Sequence, residues 1–118
     1  MTPDAVHDYC RRMPGAWEDF PFDEVTLVMK VSKKLFAILG TDRPLRISLK
    51  CDPGRVDALR EEHPAITPGY YLSKRHWNTI VCDGSVPDEL LCELIDHSYE
   101  LVLASLTKKE RQKIADEA

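Results

Sequence analysis

The chain has 118 residues and a formal net charge of -4, with 43% hydrophobic and 31% charged side chains. That length fits one domain, residues 1–118, and the composition is that of a soluble globular protein. It excludes a collagen, a coiled coil, a disordered tail and a membrane span, because no apolar run approaches the ~20 residues a bilayer needs.

The first start signal is Thr2-Pro3-Asp4, a capping hydroxyl followed by proline at the first helical position. It predicts a helix to about Arg12 with Val6, Tyr9, Cys10 and Met13 facing inward, stopped by Met13-Pro14-Gly15. Neither a basic region nor an apolar stretch follows Met1, so no secretion signal is read there and a cytoplasmic location is expected. Val25, Leu27, Met29 and Val31 then alternate with Thr26, Val28 and Lys30 as a strand would. A short Ser32-Lys33-Lys34 turn leads into the apolar run 35–39. The cluster 40–44 reads as a turn, and Leu45, Ile47 and Leu49 alternate with Arg46, Ser48 and Lys50. Asp52-Pro53 opens a second helix through Val56 and Leu59, which His63-Pro64 closes. Two more strands are expected, near Tyr70-Tyr71-Leu72 and over Trp77–Cys82. Ser85-Val86-Pro87-Asp88 opens the longest helix, with a stripe from Leu90 to Val102 wide enough to cover a sheet. Thr107 and Glu110 form a capping box for a short last helix.

Short links between consecutive strands mean hairpins and an antiparallel sheet. The expectation is an α+β two-layer sandwich with helices on one face and the other face open. Leu45, Ile47 and Leu49 then point at the helices, while Thr26, Val28, Lys30, Arg46, Ser48 and Lys50 point away.

Charge is unevenly placed. Residues 1–24 and 85–118 each carry a net of -4, while residues 25–84 carry +4. Residues 25–50 hold six basic side chains against one acid, Asp42. An anionic partner would therefore meet Lys30, Lys33, Lys34, Arg46 and Lys50 on the open face and hairpin tips. Tyr70 through Asn78 interleaves aromatics and cations, and Lys74, Arg75, His76 and Asn78 suit phosphate contact next to stacking platforms. Tyr70, Tyr71 and Trp77 are the candidate lining of a ligand pocket, and Trp77 equally fits a core anchor.

Catalytic and metal patterns are weak. Cys10, Cys51, Cys82 and Cys92 show no C-x-x-C spacing, and His7, His63, His76 and His97 are scattered. Five scattered glycines build neither a P-loop nor a dinucleotide fingerprint. Asp19, Asp23 and Glu24 around Pro21 read as an acidic loop. The expectation is a protein with no catalytic residues, metal or cofactor.

Several motifs, in order along nearly the whole chain, resemble the MmcQ/YjbR family of small bacterial proteins. They are Pro14-Gly15, Phe20-Pro21-Phe22, Leu49-Lys50-Cys51-Asp52-Pro53, Thr67-Pro68-Gly69-Tyr70, Lys74-Arg75-His76-Trp77-Asn78-Thr79, Asp83-Gly84-Ser85 and Leu94-Ile95-Asp96-His97-Ser98-Tyr99. The resemblance implies an αβ3αβ2α architecture, CyaY-like (frataxin-like) and similar to secretion chaperones, and a double-wing DNA-binding motif. The functional expectation is a non-enzymatic DNA-binding domain, acting through the basic open face and hairpins as a monomer. The alternative is a protein- or small-molecule-binding accessory domain of a stress or resistance pathway.

Overall fold

In a computed structural model, which describes residues 1–69 and 72–117, Thr2 starts the first helix as its spacing predicts. Its side chain accepts from the Ala5 amide, and Pro3 opens α1 (Pro3–Arg11). The chain continues through β1 (Ala16–Asp19), β2 (Leu27–Val31), β3 (Lys34–Leu39) and β4 (Arg46–Lys50) to α2 (Pro53–Glu62). It then forms β5 (Ile66–Pro68), β6 (Trp77–Val81), α3 (Asp88–Ala104) and α4 (Lys108–Glu117). The six strands make one antiparallel sheet in the order β1-β2-β3-β4-β6-β5, which is the expected α+β class with an open sheet.

The order departs from the expected one in particular places. β1 was not expected, because Ala16-Trp17-Glu18-Asp19 is short and shows no apolar alternation. Val25 does not belong to a strand: residues 21–25 form bends and Val25 is 63% exposed. Asp23 shapes that loop by accepting from the Val25 and Thr26 amides and the Thr26 hydroxyl. A short strand, β5, occupies 66–68, ahead of the one expected near residues 70–72; of those, Leu72 lies in a bend, and Tyr70 and Tyr71 lie outside the described residues. Pro68 is compatible with a strand because β5 is an edge and needs no second ladder bond there.

Register sets the two faces. Met29, Ala37 and Leu49 stand side by side, as do Leu39, Ile47 and Ile80, and this face is buried under the helices. α3 lies across it, burying Leu91, Leu94, Ile95, Ser98, Tyr99 and Val102. Each fully buried aliphatic side chain is worth about 1.5–3 kcal/mol. Phe36 meets Tyr99 edge-to-face at 5.4 Å and 86°. It reaches the helix side because the β2–β3 register shifts between Met29 and Lys30, pairing Lys30 with Leu35 and skipping Phe36. Ser98, fully buried, accepts from the Lys50 amide at 2.8 Å and donates to the Phe36 carbonyl at 2.5 Å.

Ser32 and Lys33 make a two-residue hairpin turn between the paired Val31 and Lys34, with Ser32 at a left-handed φ of 55°. α4 docks onto that turn. Thr107 and Glu110 form the capping box read from the sequence, and Ser32 Oγ also donates to Glu110 Oε2 at 2.7 Å. Gly15, at φ 73°, admits α4 closely: a Cβ there would sit 3.1 Å from Ile114.

The Ser32 hydroxyl, then the Thr107 amide and hydroxyl, hold the Glu110 carboxyl down at about 2, below its ordinary 4.5. A lowered folded value stabilises the docked helix above the unfolded value and loses that contribution as pH falls from about 4.5 towards 2. Amide protection in α4, measured relative to the intrinsic exchange rate at each pH, should therefore fall across that window in the native chain. In Glu110→Gln that protection should be low and flat with pH, and an unchanged acid profile in that variant would show that another group docks the helix.

Candidate nucleic-acid interface

β4 and β6 pair Lys50 with Trp77, Ser48 with Thr79 and Arg46 with Val81. Ile47, Leu49 and Ile80 occupy the helix face, so these residues occupy the other. The central row of that face runs Asp19, Val28, Ile38, Ser48, Thr79, Thr67 across all six strands. The next row, towards the β2–β3 hairpin, pairs Trp17 with Lys30, Lys30 with Leu35, and Lys50 with Trp77.

Several expected contact residues have other duties. Lys30 donates to Asp19 Oδ2 at 2.7 Å and lies 5.3 Å from the centre of the Trp17 ring. Its charge is already matched, and Lys30 and the Phe20 amide hold the Asp19 carboxyl below the usual range. Lys30 reaches from its own position to Asp19, the residue opposite Val28, and Val28 is fully buried although it is on the open face. Lys34 donates to the carbonyl and hydroxyl of Ser105 at the C-terminal end of α3. Asn78 is a correction: it is 3% exposed, on the helix face beside Leu49, and cannot meet a nucleic acid. Trp77 is half-buried on the open face and is not a core anchor. Tyr70 and Tyr71, the other expected pocket residues, lie outside the described residues.

The remaining candidates converge at one end of the sheet. Lys33 is exposed in the β2–β3 turn, and Lys50 ends β4 at that same end. The turn 74–76, carrying Lys74, Arg75 and His76, leads into Trp77 opposite Lys50. The Cys51 amide ties the turn to β4 by donating to the His76 carbonyl at 2.7 Å. Arg46 is left out, at the far end of β4, roughly 13 Å away at 3.3 Å per residue. It borders a shallow depression of about 370 Å³ with Ile38 and Asp42. Among the described residues none of Lys33, Lys34, Arg46, Lys50, Lys74 and Arg75 is in an ion pair.

Two side chains that pattern reading missed complete the arrangement. Arg60 of α2 donates to Asn78 Oδ1 at 2.8 Å, to the Trp77 carbonyl at 3.2 Å and to the Lys74 carbonyl. It thereby clamps the basic turn, and with Lys74 and Arg75 it borders a depression of about 600 Å³ against the start of α2. Its only sequence signal is an Asp57 three residues earlier, which is too common to single it out. Trp17, 45% exposed, escaped notice because its strand did; its Nε1 donates to the Ser32 carbonyl at 2.8 Å.

The other chemistry-bearing groups are engaged locally. His7 Nε2 meets Glu18 at 2.7 Å, and His97 Nε2 accepts from the Asp52 amide at the head of α2. Burial pushes the Cys10 thiol up to about 12 and raises the other three thiols, so none is poised as a nucleophile. Among the described residues no group of three His, Cys, Asp or Glu is placed to hold a metal ion, and no helix is long and apolar enough to cross a membrane.

Residues 11–101 match the YjbR family model. The chain is 34% identical over 114 residues to "Uncharacterized protein YjbR" of Escherichia coli (strain K12), covering 95% of this chain and 96% of that one. It is 33% identical over 116 residues to "Uncharacterized protein YyaQ" of Bacillus subtilis (strain 168), covering 86% and 98%. The crystal structure of Deinococcus radiodurans protein DR2400, with the family-model domain DUF419, superposes with a TM-score of 0.90 at 45% identity, covering 97% of this chain and 88% of that one. A protein from Pseudomonas syringae superposes with a TM-score of 0.74 at 27% identity, covering 86% and 98%. The matched span 11–101 contains the sheet, the basic turn and the Arg60 clamp, and with relatives above 30% identity over most of its length, the chain belongs to the YjbR family.

Proposed function

We propose that this domain binds nucleic acid, DNA in the first instance, and catalyses no reaction on it. The observation that supports this is the end of the open face: Lys50 and Trp77 side by side, next to Lys74 and Arg75, with none of these cations in an ion pair among the described residues. Phosphates would meet Lys33, Lys50, Lys74 and Arg75, which all belong to the net-positive middle of the chain.

Fluorescence anisotropy with a labelled random-sequence DNA at about 50 and 200 mM salt tests this. With about four phosphates engaged, affinity should fall about a hundredfold over that range. The double variant Lys74→Glu, Arg75→Glu should bind at least about tenfold more weakly at low salt and show a shallower salt slope. Absence of binding at low salt, or binding that survives the double reversal, would overturn the proposal.

A second reading has its own observation. Phe20, Phe22 and Val25 are 48%, 60% and 63% exposed on a loop that Asp23 holds in shape, and such apolar exposure suits a protein partner.

A further inference from the structure

We infer that the open face takes an unpaired strand, its bases lying against Trp17 and Trp77 and its phosphates against Lys50 and the neighbouring cations. This rests on the nucleic-acid reading above and narrows it to one form of the ligand.

Trp17 on β1 and Trp77 on β6 belong to the same row of the open face, each next to a lysine, Lys30 and Lys50. Four strand intervals separate them, about 19 Å at 4.8 Å each, with Leu35 between. The two lysines differ in kind. Asp19 neutralises Lys30, so the β1 side of the row offers an aromatic surface with little net charge. Lys50 has no carboxylate partner among the described residues, so the β6 side offers charge beside the second ring. Trp17 is also oriented: its Nε1 is tied to the Ser32 carbonyl, Lys30 lies against its ring, and it still exposes 45% of its surface. A fixed, exposed tryptophan suits the face of a base and has no counterpart to fill on a duplex, whose bases are stacked inside.

Width argues the same way. Six strands span about 24 Å, twice the roughly 12 Å of a B-DNA major groove, which admits a helix or a two-stranded ribbon. A duplex would reach only the hairpin tip and the 74–76 turn, leaving both rings idle. A single strand can cross the row, and 19 Å accommodates about four nucleotides, the lower end of known single-strand sites.

The sequence holds only two tryptophans, so tryptophan emission, excited selectively over the four tyrosines, reports on this row alone. The probes are an oligo-dT and an oligo-rU of about ten nucleotides and a DNA duplex of the same length, each labelled for anisotropy at about 50 mM salt. The expected result is tryptophan quenching by a single strand, dT or rU, with affinity at least about tenfold above the duplex. Trp17→Ala should bind about tenfold more weakly with an unchanged circular dichroism spectrum, as should Lys50→Glu. Trp17→Phe and Trp77→Phe, each with one reporter left, should still be quenched. Duplex binding as tight as single-strand binding, or single-strand binding without quenching, overturns this inference while the nucleic-acid reading stands. No anisotropy change with any of the three probes overturns both.

Discussion

Replacing Ser98 by alanine should cost about 2–5 kcal/mol of folding stability, the largest effect expected of any single-atom deletion in this protein. The β3–β4 ladder pairs Ala37 with Leu49, Ile38 with Ser48 and Leu39 with Ile47, and its next rung would fall at Phe36 and Lys50. The irregularity that turns Phe36 towards Tyr99 takes that rung away. The Ser98 hydroxyl replaces it, accepting from the Lys50 amide and donating to the Phe36 carbonyl. Alanine leaves a buried acceptor and a part-buried donor unpaired, at about 1–3 kcal/mol each with the donor towards the lower figure. In urea the midpoint should fall with an unchanged slope, because the surface exposed on unfolding is the same. A loss below about 1 kcal/mol would mean that the strands close the rung by themselves once the hydroxyl is gone. The site also links core and surface: Lys50, whose amide Ser98 holds, carries one of the proposed phosphate contacts.

Arg60→Met should cost about 2–3 kcal/mol and Arg60→Lys only somewhat less. The guanidinium spreads its donors over Asn78 Oδ1 and the carbonyls of Lys74 and Trp77, a division one ammonium cannot reproduce. Asn78 is 3% exposed and its Nδ2 has no partner among the described residues, so removing Arg60 leaves the whole amide buried and unpaired. Hydrogen exchange separates the clamp from a general weakening. The His76 amide, bonded to the Ser73 carbonyl, should lose protection in Arg60→Lys at denaturant concentrations where β3 and β4 keep theirs. Arg60→Lys also keeps the charge, so weaker DNA binding in that variant would come from the position of Lys74 and Arg75. Binding equal to the parent chain would show that the turn is held without Arg60.

How much of this was legible beforehand depended on the range of the interaction. Helix starts carry their signal within four residues, and Thr2, Asp52 and the Thr107–Glu110 box cap α1, α2 and α4 as read. The longest helix was placed by its apolar stripe, although Pro87 stands at its head with no side-chain cap and Ser85 turns back to Asp83. Alternation over 45–50 assigned both faces of β4, because one residue of slip would have turned Ile47 and Leu49 outward. β1 and β5 were missed because four- and three-residue edge strands are made by their neighbours' hydrogen bonds rather than by their own pattern.

Local pattern sufficed for the α+β class, the capped helix starts, the basic middle of the chain and the membership that its motifs suggest. Which cations are available follows from how distant segments pack. Lys30 and Lys50 look alike in an alternating strand, yet Asp19 neutralises the first and no described carboxylate pairs with the second. Asn78 follows a run of cations, yet the pleat of β6 turns it into the core. Trp17 and Trp77 are sixty residues apart and share one row because β1 and β6 occupy particular places in the strand order. Charge pairing and strand order are contacts between segments far apart in sequence, so no local window contains them.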